Sequence, residues 1–525
     1  MSTLNNSLKF VSSLFLDKGL TKKAYLNALT VILDYAASLL VGFFLTPLMV
    51  VGLGDYFYGL WQILNRLIGY ISPASGRPGY ALKWTLANQQ ASTDYAQKRR
   101  YVGSTLVIWL LFLPFLIVLG GIISWFVPNW VHVSGEAIWI VRLVAALLVT
   151  NLVVDTLSSV PQVTLQGENL GYKRMGMSVV LILSGGGFTW LALYLRTGII
   201  GVAVSVVMTT VVTGLFFLWV VRSYTPWFGV SRPQPADTYQ MLGLSWWFLA
   251  WNFVTSLLLA SDVVVLGLLN SVESVTNYSL TKYVPETMIG AIVIVVFGIT
   301  PGLGSIIGTG DYKKASRLRG EIMTVIWLVV TTLGTTILLW NKTFLGLWVG
   351  VDRYSGSIPN LLIVIGAMQL AYIRSDGNII DLTLRLKSKV LLGLLSVAIS
   401  IVFASVAVGY FKLGIVGLCL GIMAGRLIIS LGYPALIGRF LGISLSSQLT
   451  GIIRPAIIMT LLFGGAVLLD SYLPSLTYAG LMGWLLFALF AGLTALLIFL
   501  ISFYSGLRTS QRKDIMRRLR TVITA

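Results

Sequence analysis

The chain has 525 residues, of which 57% are hydrophobic and only 10% are charged, and its mean hydropathy is +0.88. Soluble chains of this length carry about 25% charged residues. Because no soluble fold can bury so much apolar sequence, the composition excludes a water-soluble protein and predicts one that lies largely inside a lipid bilayer.

Apolar stretches long enough to cross a hydrocarbon core of about 30 Å recur from one end of the chain to the other. The predicted fold is therefore all-α, a polytopic membrane protein with about fourteen transmembrane helices. The segment from Asn5 to Lys23 alternates apolar and polar residues, and we expect it to lie on the membrane surface. The predicted spans lie near residues 24–50, 56–75, 101–126, 137–160, 176–195, 199–221, 242–269, 278–304, 321–341, 359–383, 390–410, 414–436, 455–470 and 477–504.

The net charge of +19 is typical of nucleic-acid-binding proteins, but its distribution indicates lipid contact instead. With a cytoplasmic N-terminus, most lysines and arginines fall in cytoplasmic segments, as the positive-inside rule requires. External segments then hold only Arg196, Lys342, Arg353 and Lys412. We therefore expect both termini in the cytoplasm, a basic tail that contacts anionic lipid heads, and no nucleic-acid partner.

A weak internal repeat links the two halves of the chain. The segment Asp94–Arg100 is similar to Asp311–Arg319, and the turn Leu53–Gly59 is similar to Leu266–Tyr278. Because six spans separate the copies, the repeat predicts two parallel six-helix lobes and an extra C-terminal helix pair. The predicted domains are an N-terminal lobe (1–235), a C-terminal lobe (236–450), the extra helix pair (451–505) and a basic cytoplasmic tail (506–525).

Five cations remain inside the predicted spans: Arg66, Arg142, Lys282, Arg374 and Arg426. Each would cost about 2.5–3.5 kcal/mol at the centre of a lipid-facing helix, so most of them must face protein or water. They are our candidates for a cationic cavity that binds an anionic substrate. Arg426 has no acidic neighbour on its own helix, whereas Arg142 lies near the outer end of its span, where it can snorkel.

Two of these cations leave alternatives open. Lys282 and Glu286 are four residues apart, so they can simply pair along one helix. Arg374 precedes the polar stretch Ser375–Asn378, which predicts a break in the tenth span of the kind that marks substrate paths. Alternatively, that span ends before Arg374, which then lies at the cytoplasmic surface.

Polar residues recur at steps of three and four along several spans, which places them on one helix face. Such stripes predict a wet central cavity, although hydrogen bonds between helices of a dry bundle would produce the same pattern. The stripe residues that we assign to the cavity are Gln62, Asn65, Asn151 and Asn378.

Catalytic and metal-binding constellations are absent from the sequence. His132 is the only histidine and Cys419 the only cysteine, so the chain cannot supply a metal site of His and Cys ligands. No nucleophile-elbow sequence accompanies His132, and the external loops are short. We therefore predict a transporter rather than an enzyme, with no catalytic residue, no metal and no cofactor.

The span count, the two lobes and the turn Gly54–Gly59, of the type Gly-x-x-x-Tyr-Gly, resemble one family of transporters. This is the polysaccharide-exporter branch of the multidrug/oligosaccharidyl-lipid/polysaccharide (MOP) superfamily, with Wzx-type flippases as the most similar group. The pattern Asp262…Leu266-Gly267…Tyr278 resembles the second lobe of that family. The resemblance covers nearly the whole chain, as architecture more than as sharp motifs.

The resemblance implies a substrate, a mechanism and a location. The substrate would be an oligosaccharide on an undecaprenyl pyrophosphate carrier, moved across a bacterial inner membrane by alternating access of the two lobes. Transport in this family is commonly coupled to H⁺ or Na⁺, for which Asp34, Asp155 and Asp262 are the candidate carboxylates. Implied partners are the membrane lipids, a polysaccharide polymerase and a chain-length regulator.

Three other functions are compatible with parts of the sequence. A multidrug exporter of the same superfamily typically has twelve spans and an acidic cavity, against which the five cations argue. A lipid II flippase shares the span count and the anionic substrate, but the cations expected in its first helix are missing. A membrane-embedded polysaccharide polymerase would need larger external loops than this chain has.

Overall fold

The computed structural model describes residues 20–524, except for residues 91, 134, 136, 175, 309, 383–385, 445, 447, 449–450 and 471–479. Within the described residues, every regular element is a helix and no strand is present. This confirms the all-α prediction.

We number the described helices in chain order. They are α1 (Leu20–Ile71), α2 (Pro78–Asn88), α3 (Tyr95–Trp130), α4 (Ala137–Gly167), α5 (Met177–Tyr194), α6 (Gly198–Tyr224), α7 (Pro235–Leu269), α8 (Val272–Gly308), α9 (Tyr312–Trp348), α10 (Ser357–Leu382), α11 (Leu386–Ser405), α12 (Gly414–Leu441), α13 (Ile453–Asp470), α14 (Leu481–Ile501) and α15 (Thr509–Thr524). A 3₁₀ turn, Ser72–Ser75, follows α1, and π-helical turns extend α11 and α14.

Twelve of the described helical segments are long and apolar enough to cross a membrane, which makes the chain a multi-pass membrane protein. The first of them, Leu29–Ser75, is broken at Gly54, where φ is 76° and ψ is 166°. Glycine adopts this backbone without a steric penalty, so one residue replaces the longer turn that we predicted over Leu53–Gly59. The count of fourteen spans stays a prediction.

The chain divides into two compact units. Unit 1 contains the described residues of Met1–Gly54 together with Leu67–Phe253, and unit 2 contains Asp55–Arg66 and Val254–Ala525. The predicted domain limits at residues 235, 450 and 505 stay predictions.

In unit 1, the short helix α2 packs against α3. Ala81, Leu82 and Leu86 of α2 are fully buried in one apolar cluster with Tyr101 and Ile108 of α3. The spacing of the three α2 residues places them on one helix face, so α2 buries this face in the cluster that it shares with α3.

In unit 2, glycines allow neighbouring helices to approach closely. A Cβ atom on Gly425 of α12 would lie 2.3 Å from the backbone nitrogen of Ser400 in α11. A Cβ on Gly59 would lie 2.2 Å from the carbonyl oxygen of Val272, at the start of α8. Thr276 adds a hydrogen bond of 2.6 Å from Oγ1 to the carbonyl oxygen of Asp55. Small residues at such contacts replace the hydrophobic driving force that is missing between helices in lipid.

The similarity between Asp94–Arg100 and Asp311–Arg319 has a structural counterpart at the starts of α3 and α9. Asp94 is the N-cap of α3, and its Oδ1 accepts a hydrogen bond of 2.9 Å from the backbone nitrogen of Gln97. Asp311 is the N-cap of α9, and its Oδ1 accepts one of 3.0 Å from the backbone nitrogen of Lys314. In both copies the aspartate satisfies a helix N–H group that has no partner within the helix.

Candidate substrate-binding site

Six charged residues of unit 2 form what we call the unit 2 charge cluster: Arg66, Asp262, Lys282, Glu286, Arg374 and Arg426. Lys282 Nζ lies 2.5 Å from Asp262 Oδ2 and 4.0 Å from Glu286 Oε2. Arg66 Nη2 lies 3.4 Å from Glu286 Oε1. Lys282 and Glu286 share one face of α8 because they are four residues apart. Lys282 therefore pairs mainly with Asp262 on α7, and its contact with Glu286 along α8 is longer.

Asp262 has its hydrogen-bonding capacity largely satisfied. It is only 3% exposed, and its Oδ2 also accepts a hydrogen bond of 2.7 Å from the Tyr278 hydroxyl. Its Oδ1 accepts a bond of 2.8 Å from the backbone nitrogen of Val263. A buried carboxylate needs such partners and a countercharge to remain ionised. Asp262 thus neutralises Lys282 at the buried end of the cluster.

Arg426 of α12 is a buried cation that no carboxylate of the described residues contacts. It is 7% exposed, and its Nη2 donates a hydrogen bond of 2.7 Å to the carbonyl oxygen of Leu258. Its Nε has no hydrogen-bond partner among the described residues. An unsatisfied buried donor on a charged group is costly, and it marks a place where a ligand or an ordered water can bind.

Arg374 of α10 is half-buried and lies within electrostatic range of Glu286. Among the residues described here, none forms an ion pair with it. One turn further along α10, the amide nitrogen of Asn378 is buried without a described partner. The two predicted residues therefore lie on one face of α10, and each has hydrogen-bonding capacity left for a ligand.

The break that we predicted over Ser375–Asn378 is wrong, because α10 is continuous from Ser357 to Leu382. The polar residues of this stretch serve tertiary contacts instead. Asp376 binds Arg319, and Gly377 packs near Lys389, whose Cε lies 3.5 Å from the position of a Gly377 Cβ, an ordinary packing distance. Asp381 in turn accepts a hydrogen bond of 2.7 Å from Lys389 Nζ.

The other stripe residues of α1 precede Arg66 on the same helix. Gln62 is half-buried and lies one turn before Arg66. The amide nitrogen of Asn65 donates a hydrogen bond of 2.8 Å to the carbonyl oxygen of Trp61. Asn65 therefore uses one of its donors within its own helix. Gln62 shares the Arg66 face by its four-residue spacing.

Unit 1 holds the remaining predicted stripe residue and two candidate coupling carboxylates. Asn151 Oδ1 accepts a hydrogen bond of 2.7 Å from Thr210 Oγ1, which joins α4 to α6. Asp34 accepts a short hydrogen bond from Ser178, which joins α1 to α5. Asp155 is exposed on α4 and lies within electrostatic range of Arg77.

Arg142 also belongs to unit 1. Its guanidinium carbon lies 3.9 Å from the ring centroid of Trp125, and its Nε lies 3.4 Å from the carbonyl oxygen of the same residue. A cation over an indole face is stabilised by the ring quadrupole. The structure thus gives Arg142 a partner on the neighbouring helix α3.

Sequence reasoning missed Arg77, which lies just outside the second predicted span (56–75). Its φ of 36° lies in the left-handed region, which is disfavoured for an arginine. A helical backbone is also disfavoured directly before a proline, here Pro78. The side chain is held by Asn252 Oδ1 at 2.8 Å and by Ser72 Oγ at 2.5 Å. The Gly-Arg-Pro-Gly sequence at residues 76–79 was the available signal for an irregular, constrained backbone.

The unit 2 charge cluster contains four cations and two carboxylates. The carboxylates contact Lys282 and Arg66, so Arg374 and Arg426 retain positive charge that no described carboxylate contacts. Guanidinium groups bind phosphate and carboxylate oxygens with paired N–H donors, and this attraction is stronger away from water. The described residues include no group of three or more His, Cys, Asp and Glu that could hold a metal ion. The arrangement is suited to binding an anion.

Comparison with protein families and solved structures identifies the fold. Residues 81–304 match the model of a family described as "Polysaccharide biosynthesis protein". No curated protein sequence matches the chain.

Several solved structures of transporters have a similar fold. An inward-facing multidrug resistance MATE family transporter of the MOP superfamily has a TM-score of 0.65 at 14% identity, covering 79% of this chain and 95% of that chain. The outward-facing conformation of such a transporter has a TM-score of 0.57 at 14% identity, with coverages of 81% and 97%. A MOP superfamily transporter from Pyrococcus furiosus, for which a reverse polarity of the binding pocket is described, has a TM-score of 0.54 at 15% identity, with coverages of 80% and 96%.

The solved structures named here are those of transporters, which is the class of protein that the sequence predicts. The chain is a multi-pass membrane protein that shares its fold with solved transporters of the MOP superfamily, and its residues 81–304 match the model of a polysaccharide-biosynthesis protein family.

Proposed function

We propose that the chain is a flippase that moves an oligosaccharide on an undecaprenyl pyrophosphate carrier from the cytoplasmic to the outer leaflet of a bacterial inner membrane. Both termini lie in the cytoplasm in this proposal. The products feed a polysaccharide polymerase and a chain-length regulator. The match over residues 81–304 to a polysaccharide-biosynthesis family supports the glycan part of the substrate.

The observation that carries the proposal is the surplus positive charge of the unit 2 charge cluster. Arg426 is buried, its Nε has no hydrogen-bond partner among the described residues, and no described carboxylate contacts it or Arg374. A pyrophosphate offers several charged oxygens to such guanidinium groups, and the paired N–H donors of arginine match their geometry. The neutral amides of Gln62 and Asn378 supply hydrogen-bonding groups for sugar hydroxyls.

Ion coupling in this proposal uses a carboxylate that is free to gain and lose a proton or Na⁺. Asp262 is bound to Lys282 and Tyr278, and Asp34 accepts a hydrogen bond from Ser178. Asp155 is exposed and accepts no hydrogen bond from a described residue, with Arg77 as the cation in electrostatic range. Asp155 is therefore the coupling residue that we favour among the three.

The test is a leaflet assay in cells that lack this protein. An undecaprenyl-pyrophosphate oligosaccharide should accumulate on the cytoplasmic side and clear, chemically unchanged, when the wild-type gene is restored. The Arg426→Gln variant, produced at the same level in the membrane, should clear it at least tenfold more slowly. Clearance of the lipid without the protein would refute the proposal.

A multidrug exporter is the second candidate, because the solved structures with a similar fold include multidrug resistance MATE transporters. Cells without the protein would then become sensitive to cationic dyes, and no lipid-linked glycan would accumulate. A lipid II flippase would instead show accumulation of the peptidoglycan precursor. In cells that lack the protein, the compound that accumulates therefore distinguishes the three functions: a lipid-linked glycan, a cationic dye or the peptidoglycan precursor.

A further inference from the structure

A second polar cluster in unit 2 has no role in the proposed function. Asp470, in α13, is only 5% exposed, and its Oδ2 accepts a hydrogen bond of 2.5 Å from Ser357 Oγ. No lysine or arginine that the structure describes forms an ion pair with it. A buried carboxylate without a countercharge is costly, and a bound cation would supply that countercharge.

Neutral oxygens of Ser357 and Tyr354 lie near the Asp470 carboxylate. The Tyr354 side chain lies within electrostatic range of Asp470, and its hydroxyl is close to Ser357 and Asn360. Burial and the charge of Asp470 raise the pKa of Tyr354 to about 12, so this hydroxyl remains neutral at physiological pH. Ser357 is the first residue of α10, and the start of a helix carries roughly half a positive charge, which offsets only part of the carboxylate charge.

Two buried oxygens of this region have no described hydrogen-bond partner: the hydroxyl of Tyr354, and Oδ1 of Asn341, which binds Asn360. Asn341 is 2% exposed, and its amide nitrogen donates hydrogen bonds of 2.8 Å to Asn360 Oδ1 and 2.9 Å to the carbonyl oxygen of Thr281. Its own Oδ1 is buried and accepts no hydrogen bond from any described residue. An orphaned acceptor at this depth indicates a missing donor or cation, because buried oxygens are otherwise satisfied.

We propose that Asp470 and the neutral oxygens of Ser357, Tyr354 and Asn360 bind a monovalent cation of the Na⁺ class. A single carboxylate balances one positive charge, whereas divalent cations are held by several charged oxygens. The ligands belong to α13, to α10 and to the segment before α10, so the ion ties α13 to the rest of unit 2. This site uses none of the residues assigned to substrate binding or coupling.

The experiment measures the thermal stability of the purified full-length chain in Na⁺ and in choline at equal ionic strength, without any substrate. Binding of Na⁺ to the folded state should raise the Tm by about 2–4 °C. The shift should disappear in Asp470→Asn and persist in Asp352→Asn, which removes an exposed carboxylate from the neighbouring turn. Because no transport is measured, failure of this site and failure of the proposed function are distinguishable.

Equilibrium dialysis with radioactive Na⁺ tests the same site without relying on a stable Asp470→Asn protein. The wild-type chain should retain one ion that excess Na⁺ displaces and choline does not, and Ser357→Ala should bind it at least fivefold more weakly. Equal Tm values for the wild type in both salts, or a Na⁺ shift that survives in Asp470→Asn, would overturn the proposal. A higher Tm of Asp470→Asn than of the wild type in both salts would also overturn the proposal, because the carboxylate would then destabilise the fold even with Na⁺ present.

Discussion

Arg319 and Asp376 form a buried, bidentate ion pair between the start of α9 and the later part of α10. Arg319 Nε and Nη2 lie 3.0 and 2.9 Å from Asp376 Oδ1, and Nη2 also lies 3.0 Å from Oδ2. Arg319 Nη1 donates a further bond of 2.8 Å to Gln448 Oε1. In unit 1, Lys98 near the start of α3 lies 2.9 Å from Glu168, just after α4. Each unit therefore joins two consecutive helices by an ion pair near corresponding ends.

The Arg319 pair predicts a large loss of stability when one partner is removed. Arg319→Ala leaves the Asp376 carboxylate buried without its countercharge, which costs about 3–5 kcal/mol. The neighbouring Arg317 is the control, because its side chain is 61% exposed and its bonds to Asp514 and Glu321 contribute about 0–1 kcal/mol. The Tm of the purified variants should fall sharply for Arg319→Ala and little for Arg317→Ala.

A double-mutant cycle separates the ion pair from general packing. Arg319→Leu combined with Asp376→Leu removes both charges, so the double variant should be more stable than either single variant. Additive losses in Tm would contradict the view that the unpaired charge is the main cost.

Gly59 predicts a steric effect on the segment Asp55–Arg66 of unit 2. Gly59→Ala would place a Cβ 2.2 Å from the carbonyl oxygen of Val272, and overpacking of this kind costs about 1–3 kcal/mol. Gly69→Ala is the matched control on the same helix, because nothing lies within 4 Å of its Cβ position. We expect a lower Tm for Gly59→Ala and an unchanged or higher Tm for Gly69→Ala, since alanine favours the helix. Equal effects would argue against the close contact.

The unit 2 charge cluster predicts that replacing the buried Arg426 reduces transport more than replacing the half-buried Arg142 of unit 1. Arg426→Gln removes an unpaired buried charge, and we expect at least a tenfold loss of glycan transport with normal membrane insertion. Arg142→Gln should have a much smaller effect, because that guanidinium stacks on Trp125. The leaflet assay with both variants at equal protein level is the measurement. A larger loss in Arg142→Gln would move the anion site to unit 1.

The coupling proposal predicts that Asp155→Asn and Asp34→Asn differ. Asp155→Asn removes the exposed carboxylate, so transport driven by an imposed H⁺ or Na⁺ gradient should lose its dependence on that gradient. Asp34→Asn retains an oxygen that can accept the Ser178 hydrogen bond, so its gradient dependence should persist. Measurement in proteoliposomes with and without the gradient separates coupling from substrate binding. Unchanged gradient dependence in Asp155→Asn would exclude it as the coupling group.

Hydropathy and charge spacing were sufficient to predict a helical, multi-pass membrane protein, because lipid requires every backbone group to be satisfied within a helix. The same local reasoning identified Arg426 as a cation that lacks an acidic neighbour on its own helix. These properties depend on the order of residues along one segment, so they can be deduced before the helices are assembled.

Only the tertiary structure determined which charged and polar side chains pair with each other. Lys282 pairs with Asp262 on another helix rather than chiefly with Glu286, and the polar stretch after Arg374 serves packing and ion pairs instead of a helix break. The Asp470 cluster combines residues more than a hundred positions apart. Helical spacing specifies which face a side chain occupies, but only the packing of the helices determines which charge lies opposite that face and whether water still reaches it.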